Sequence, residues 1–200
     1  MKHEQRRRLG RWLLLLLAGV LIGNAGYLHA KAWLAQHLLE RAWQRSLAGE
    51  AGAKPWPWAD TRPLLRLRVA RLAVDQIVLA GDSGRSLAFG PAWNEASALP
   101  GQAGTSVISG HRDTHFEFLR HVEIGETIEI DDTRGTHRYR VSGRRVVDAR
   151  EVRIAADGTD GHLLLVTCYP FDDWVAGGPL RYVVQAEALP DNRAMALAAR

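Results

Sequence analysis

The chain has 200 residues, 46% hydrophobic and 24% charged, which suits one globular domain with an appendage and leaves too little chain for two full domains. Its formal net charge of +4 resides in the first eleven residues, where Lys2, Arg6, Arg7, Arg8 and Arg11 face only Glu4. The remainder balances and shows no basic stripe interleaved with aromatics, which argues against a nucleic-acid partner, and the single cysteine, Cys168, excludes an internal disulfide.

Behind the basic residues 1–11 comes WLLLLLAGVLIGNAGYL, uncharged and with one amide, Asn24. About 17 to 25 apolar residues cross a bilayer, and Lys and Arg stay on the cytoplasmic side. The pattern predicts a signal-anchor over residues 12–29, N-terminus inside and the bulk exported. A cleavable signal peptide competes, since Ala30-Lys31-Ala32 resembles a small-residue cleavage site. Trp12, Tyr27 and Trp33 stand where interfacial aromatics belong and favour the anchor.

Residues 30–53 read as a stalk helix and linker, with Trp33, Leu34, His37, Leu38, Arg41, Ala42 and Arg45 at three- and four-residue steps and Gly49 as the stop. The Pro- and Trp-rich stretch AGAKPWPWADTRP fits neither a helix nor a central strand and marks a domain boundary. Its tryptophans, Trp56 and Trp58, read as an arm packed on its own domain. From Leu64 the periodicity turns towards that of strands: LLRLRVARLAV, DQIVLAG, ETIEID, THRYRVSGRRVV with a glycine suited to a bulge, HLLLVTC and LRYVVQAEAL. HLLLVTC is apolar almost throughout, as a strand buried on both faces would be. Without long helices between the strands, an all-β antiparallel barrel or sandwich is expected over residues 54–189, followed by a tail at 190–200.

Taken alone, Cys168 reads most simply as a small buried hydrophobe. Its setting adds something: a strand ends at Cys168, a Gly- and Pro-rich loop follows, and another strand starts at Leu180. If the two pair as a hairpin, Cys168 and Arg181 share a rim, where a guanidinium would favour a thiolate or hold an oxyanion. TSVISGHRDTHFEFL puts His111 at the mouth of a third strand, beside a glycine that permits close approach. His111 and His115 have the spacing of a helical metal pair, but Gly110 and the β-branched residues before it argue against a helix, and no third ligand is evident. The acidic pair Asp172-Asp173 is too little for calcium. No metal or cofactor is expected.

The set SGHRDTHF, LLLVTC and GGPLRYVV, preceded by LPGQAGTSVI and the arm KPWPWADTRP, resembles the sortases, and most closely the class GN sortases of Gram-negative proteobacteria. The resemblance spans residues 54–188 and implies a closed antiparallel sortase-type β-barrel with short helices. It departs at Leu164, where the family's Thr-Leu-x-Thr-Cys signature has a threonine. By motif position it implies Cys168 as nucleophile, His111 as catalytic histidine, Arg181 as catalytic arginine and Thr167 as a substrate-holding residue. Of the aromatics in the loops at 90–105 and 169–179, Trp174 is the preferred substrate contact, ahead of Trp93 and Phe171.

The implied activity is cysteine transpeptidation at the inner membrane, with the catalytic domain in the periplasm. Its partners would be an exported protein bearing a C-terminal sorting signal and an amine-bearing envelope acceptor. Two alternatives are a thiol hydrolase with water as acceptor and a non-enzymatic anchored protein with an inert cysteine.

Overall fold

A computed structural model describes residues 2–152, 161–173 and 177–190. The chain divides into two compact units, one ending at Leu38 and the other beginning at Leu39. The first is most of a single helix, α1 (Lys2–Leu47). Among the described residues it is the one helix long and apolar enough to cross a membrane. Leu13 to Leu17, Val20, Leu21 and Ile22 are all exposed along it, an apolar surface that water would leave unsatisfied and a lipid environment would cover. Trp33 stacks on His37 with ring centroids 5.6 Å apart.

The second unit is a closed barrel. Its strands are β1 (Pro63–Val69), β2 (Val74–Ala80), β3 (Ala92–Trp93), β4 (Thr105–Ser109), β5 (Thr127–Asp131), β6 (Thr136–Asp148), β7 (His162–Cys168) and β8 (Leu180–Ala188). They close in the order β1-β2-β3-β4-β7-β8-β6-β5. Two pairings are parallel, β2 with β3 and β4 with β7, and the rest are antiparallel. The stretch LLRLRVARLAV, which reads as one strand, is broken by a 3-10 turn at Ala70–Leu72 and by Ala73 in the left-handed region at φ 52°. That break reverses the chain and makes β1 and β2 a tight antiparallel pair. In β6 the register slips between Val141 and Gly143, so the glycine does sit at a bulge.

Alternation along the strands fills the interior. Leu65, Leu67, Ile108, Leu163, Leu165 and Val184 are fully buried there, joined by Phe116 and Leu119 from the β4–β5 connection. β7 is apolar on both faces for a visible reason: Leu164 and Val166 turn outward into a second cluster with Val107, Val183 and Val147. In the arm, Trp56 lies edge-on to Phe89 at 5.3 Å, whereas Trp58 is exposed.

The last turns of α1 belong to the barrel unit. Leu39 and Trp43 cover Ile77, Leu79 and Ala92 on the outer face of β2 and β3, and Glu40 pairs with Arg66 at 3.0 Å. Trp43 is 1% exposed, so Trp43→Ala is expected to lower the unfolding free energy by about 3 to 5 kcal/mol. Denaturant unfolding of the full chain in detergent measures this. A loss of under about 1 kcal/mol would mean that the helix end adds little to the barrel.

Candidate functional site

Three adjoining strands, β4, β7 and β8, build one rim of the barrel. Cys168 closes β7 and pairs directly across the antiparallel ladder with Arg181 on β8. On the other side the parallel ladder sets Ser109 opposite Val166, and the Gly110 N–H extends it to the Val166 carbonyl at 3.1 Å. His111 follows Gly110 just past that ladder, at the strand end adjoining the end of β7 that carries Cys168. Side chains alternate faces with period two, so Cys168 and Arg181 lie on the outer face, above the row Ser109, Val166, Val183, while His111 opens the turn that follows β4. His111 is exposed, and Cys168 and Arg181 are half-buried.

Thr167 falls on the opposite face. It is 2% exposed, and its Oγ1 donates to the Gly110 carbonyl at 2.7 Å. Its hydroxyl is thus spent bracing the end of β4 from inside the barrel, apart from the other three. Trp174 lies outside the described residues. Trp93 donates its indole N–H to the Ala98 carbonyl at 3.0 Å and packs on the core. Phe171 also packs on the core, 5.2 Å from the Tyr182 ring.

Arg181 is held by its own loop. Its Nη1 donates to the carbonyls of Gly178 at 2.6 Å and Leu180 at 2.9 Å. Among the described residues nothing accepts from its Nε or Nη2, which leaves oriented donors for an anionic oxygen near the thiol. A soft nucleophile paired with a guanidinium, and an imidazole at the adjoining strand end, are groups that acyl transfer through a thioester uses. No group of three or more His, Cys, Asp or Glu side chains stands ready to hold a metal among the described residues. Asp172 pairs instead with Arg120 at 3.0 Å.

The turn after His111 is fixed from several sides. Phe116 N–H donates to the His111 carbonyl at 2.9 Å, and Gln76 Nε2 donates to the His115 carbonyl at 2.9 Å. The approach that Gly110 permits is that of the buried Phe116 ring: a Cβ at Gly110 would lie 2.6 Å from Phe116 Cγ. Arg112, next to His111, is 8% exposed and donates Nη2 to the Asp173 carbonyl at 2.6 Å. Sequence reasoning missed Arg112 and Gln76, because residues of these types are ordinarily solvated. The only signal was their nearness to the histidine or to a strand start.

The family pattern described as the Sortase domain matches residues 67–189, more than half of the chain. Over 119 residues the chain is 28% identical to Sortase D of Bacillus subtilis (strain 168), a match spanning 59% of this chain and 60% of that protein. Among solved structures, the Sortase D5 transpeptidase of Clostridium perfringens superposes with a TM-score of 0.61 at 17% identity, over 78% of this chain and 99% of that one. Sortase C2 of Group B Streptococcus Pilus Island 1 gives a TM-score of 0.56 at 26% identity, over 64% and 74%.

Two predictions follow from the histidine turn. Gly110→Ala is expected to cost about 1 to 3 kcal/mol by forcing Phe116 aside, and Gly110→Ala/Phe116→Leu to recover part of it in denaturant unfolding. No recovery would locate the strain elsewhere. Burial, and after it the nearby His111, hold the His115 imidazole below the usual histidine value of 6.5. The unfolded chain therefore binds this proton at higher pH than the fold does, so stability is full above that value and declines as pH falls through it. His115→Gln should flatten the decline between about pH 7 and pH 5, and an unaltered slope would dissociate His115 from it.

Proposed function

The chain belongs to the sortase family, and from that premise we propose that it is a membrane-anchored cysteine transpeptidase acting on the C-terminal sorting signal of an exported protein. One observation carries the proposal: Cys168 at the end of β7 pairs directly with Arg181 on β8, and the chain leaving the adjoining β4 runs through Gly110, bonded to Val166, into His111. In this reading the Cys168 thiolate attacks the carbonyl carbon of the scissile bond, the Thr-Gly bond of an LPXTG-type signal. Arg181 holds the oxyanion through its uncommitted Nε and Nη2 donors. The C–N bond then breaks, and His111 gives its proton to the departing amine. The acyl group is left on sulfur as a thioester. An amine of the envelope acceptor attacks that thioester, loses its proton to His111 and expels the Cys168 thiolate, so a new amide forms and the enzyme is restored.

The surroundings support an extended peptide. Val166, two residues before the thiol, and Val147, across β8 from it, are half-buried and continue an apolar cluster on the outer face that suits aliphatic side chains of a signal. Thr167 serves indirectly, through the Gly110 carbonyl it holds, and Trp174 is assigned to substrate contact. Tethering favours both substrates, which are themselves confined near a bilayer. The basic residues before α1's apolar stretch support a cytoplasmic N-terminus and a periplasmic domain. The arm KPWPWADTRP supports class GN, and with it a Gram-negative inner membrane.

The test incubates the full chain in detergent with candidate C-terminal signal peptides and weighs it. A covalent acyl adduct on Cys168 is expected, absent in Cys168→Ala. Added small amines should then divert product from acid to amide. Product that stays acid at high amine concentration would make the protein a thiol hydrolase. A Cys168 that neither acylates nor reacts with an alkylator in the folded chain would remove the enzyme reading altogether.

A further inference from the structure

Beyond the Gly110–Val166 hydrogen bond no backbone ladder joins β4 to β7. His111 already belongs to a turn, and Cys168 is the last residue of its strand. The Thr167 hydroxyl on the Gly110 carbonyl ties the residues just before them, and the remaining freedom of the two is set by ties between the segments that follow them. Two arginines make such ties. Arg112, immediately after His111, spans to the Asp173 carbonyl at 2.6 Å. Arg120, in the 3-10 turn Glu117–His121, donates Nη2 to Asp172 Oδ1 at 3.0 Å and lays its guanidinium over the Phe171 ring, 5.0 Å from its centre.

Both arginines start in the connection that leaves His111, and both end on Phe171–Asp173, the stretch that leaves Cys168. From the other side the same stretch is held by β8: Tyr169 N–H donates to the Leu180 carbonyl at 3.1 Å, and Phe171 meets Tyr182 edge to face. A buried guanidinium is an expensive way to fill space, since desolvation opposes it. What it offers over an apolar residue is reach together with a rigid planar set of donors.

We propose that Arg112 and Arg120 are positioning residues for transpeptidation, strutting the strand that carries the thiol against the turn that carries the imidazole and so holding Cys168 and His111 at proton-transfer separation. The proposal rests on the transpeptidase reading above. Neither arginine touches substrate in it. Their effect is on the rate of the bound complex, because misplacing reacting groups by about 1 Å can slow a reaction by about a hundredfold.

The experiment compares the full chain in detergent with Arg112→Gln, Arg112→Lys, Arg120→Gln and His111→Ala, each checked for folding by thermal melt. Two rates are read by intact mass: alkylation of Cys168 by uncharged iodoacetamide, and acylation at saturating signal peptide. Arg112→Gln is expected to slow saturated acylation by about tenfold or more with KM little changed, and to slow alkylation towards the His111→Ala rate. Arg112→Lys should fall between, because the charge stays while the fork is lost, and Arg120→Gln should show a smaller loss of the same kind. Folded variants that acylate at the wild-type saturated rate, or that raise KM alone, would overturn the proposal. If Arg112→Gln does not fold, Arg112→Lys and Arg120→Gln decide by the same criteria. If the wild type acylates no peptide, the transpeptidase reading fails, and alkylation still judges the struts. Variants that match wild type while His111→Ala is slow would overturn them, as would a His111→Ala rate equal to wild type.

Discussion

The parallel ladder between β4 and β7 is the constraint on which the rest depends. Side chains alternate along a strand, so a slip of one residue in that register would turn Cys168 into the barrel and bring Thr167 to the surface. Both faces of the pairing are apolar. Inside, Ile108, Leu163 and Leu165 are fully buried, and outside Val107 and Leu164 are buried in the smaller cluster. A slip would only exchange one apolar set for another on β7, which is apolar throughout. The discriminating contacts are polar: the Thr167 hydroxyl on the Gly110 carbonyl and the Gly110 amide on the Val166 carbonyl. Each would be left buried and unpaired by a shift, at about 1 to 3 kcal/mol.

The barrel's outer surface is divided by charge. Across β1, β2, β5 and β6 it is laced with ion pairs: Arg66 with Asp75 at 2.6 Å, Arg68 with Asp131 at 2.9 Å and Arg138 with Glu129 at 3.0 Å. Such exposed pairs add little stability, about 0 to 1 kcal/mol each. Their consequence is that charge on this side stays hydrated. The face over β4, β7 and β8 is built of valine and leucine beside the thiol.

Much of this was legible in the residues. β7 and β8 stood out by their apolar runs and bounding Gly and Pro, the Gly143 bulge by a glycine within an alternating strand, and the pairing of Cys168 with Arg181 by the hairpin logic of the loop between them. The parallel pairing of β4 with β7 was not legible, because fifty residues and two strands separate them and alternation carries no direction. Nor was the break at Ala73, since an alanine in the left-handed region leaves no mark in a sequence where glycine would. Arg112 escaped for a related reason: its burial comes from contacts with Asp173, far along the chain, and its own neighbours are polar. The motifs carried the site. Packing at long range carried the contacts of Arg112 and Arg120 with Phe171–Asp173.

The attachment of the last turns of α1 to β2 and β3 bears on where the barrel can be cut from the long apolar helix before it. Proteolysis after Ala32, the site that resembles a signal-peptidase sequence, would release a fragment still carrying Leu39 and Trp43 over Ile77 and Leu79. Trimming back to the proline-rich arm would strip that cover and leave a sticky, aggregation-prone flank on an otherwise intact barrel. The border of the compact barrel unit therefore lies inside the helix, upstream of where composition changes.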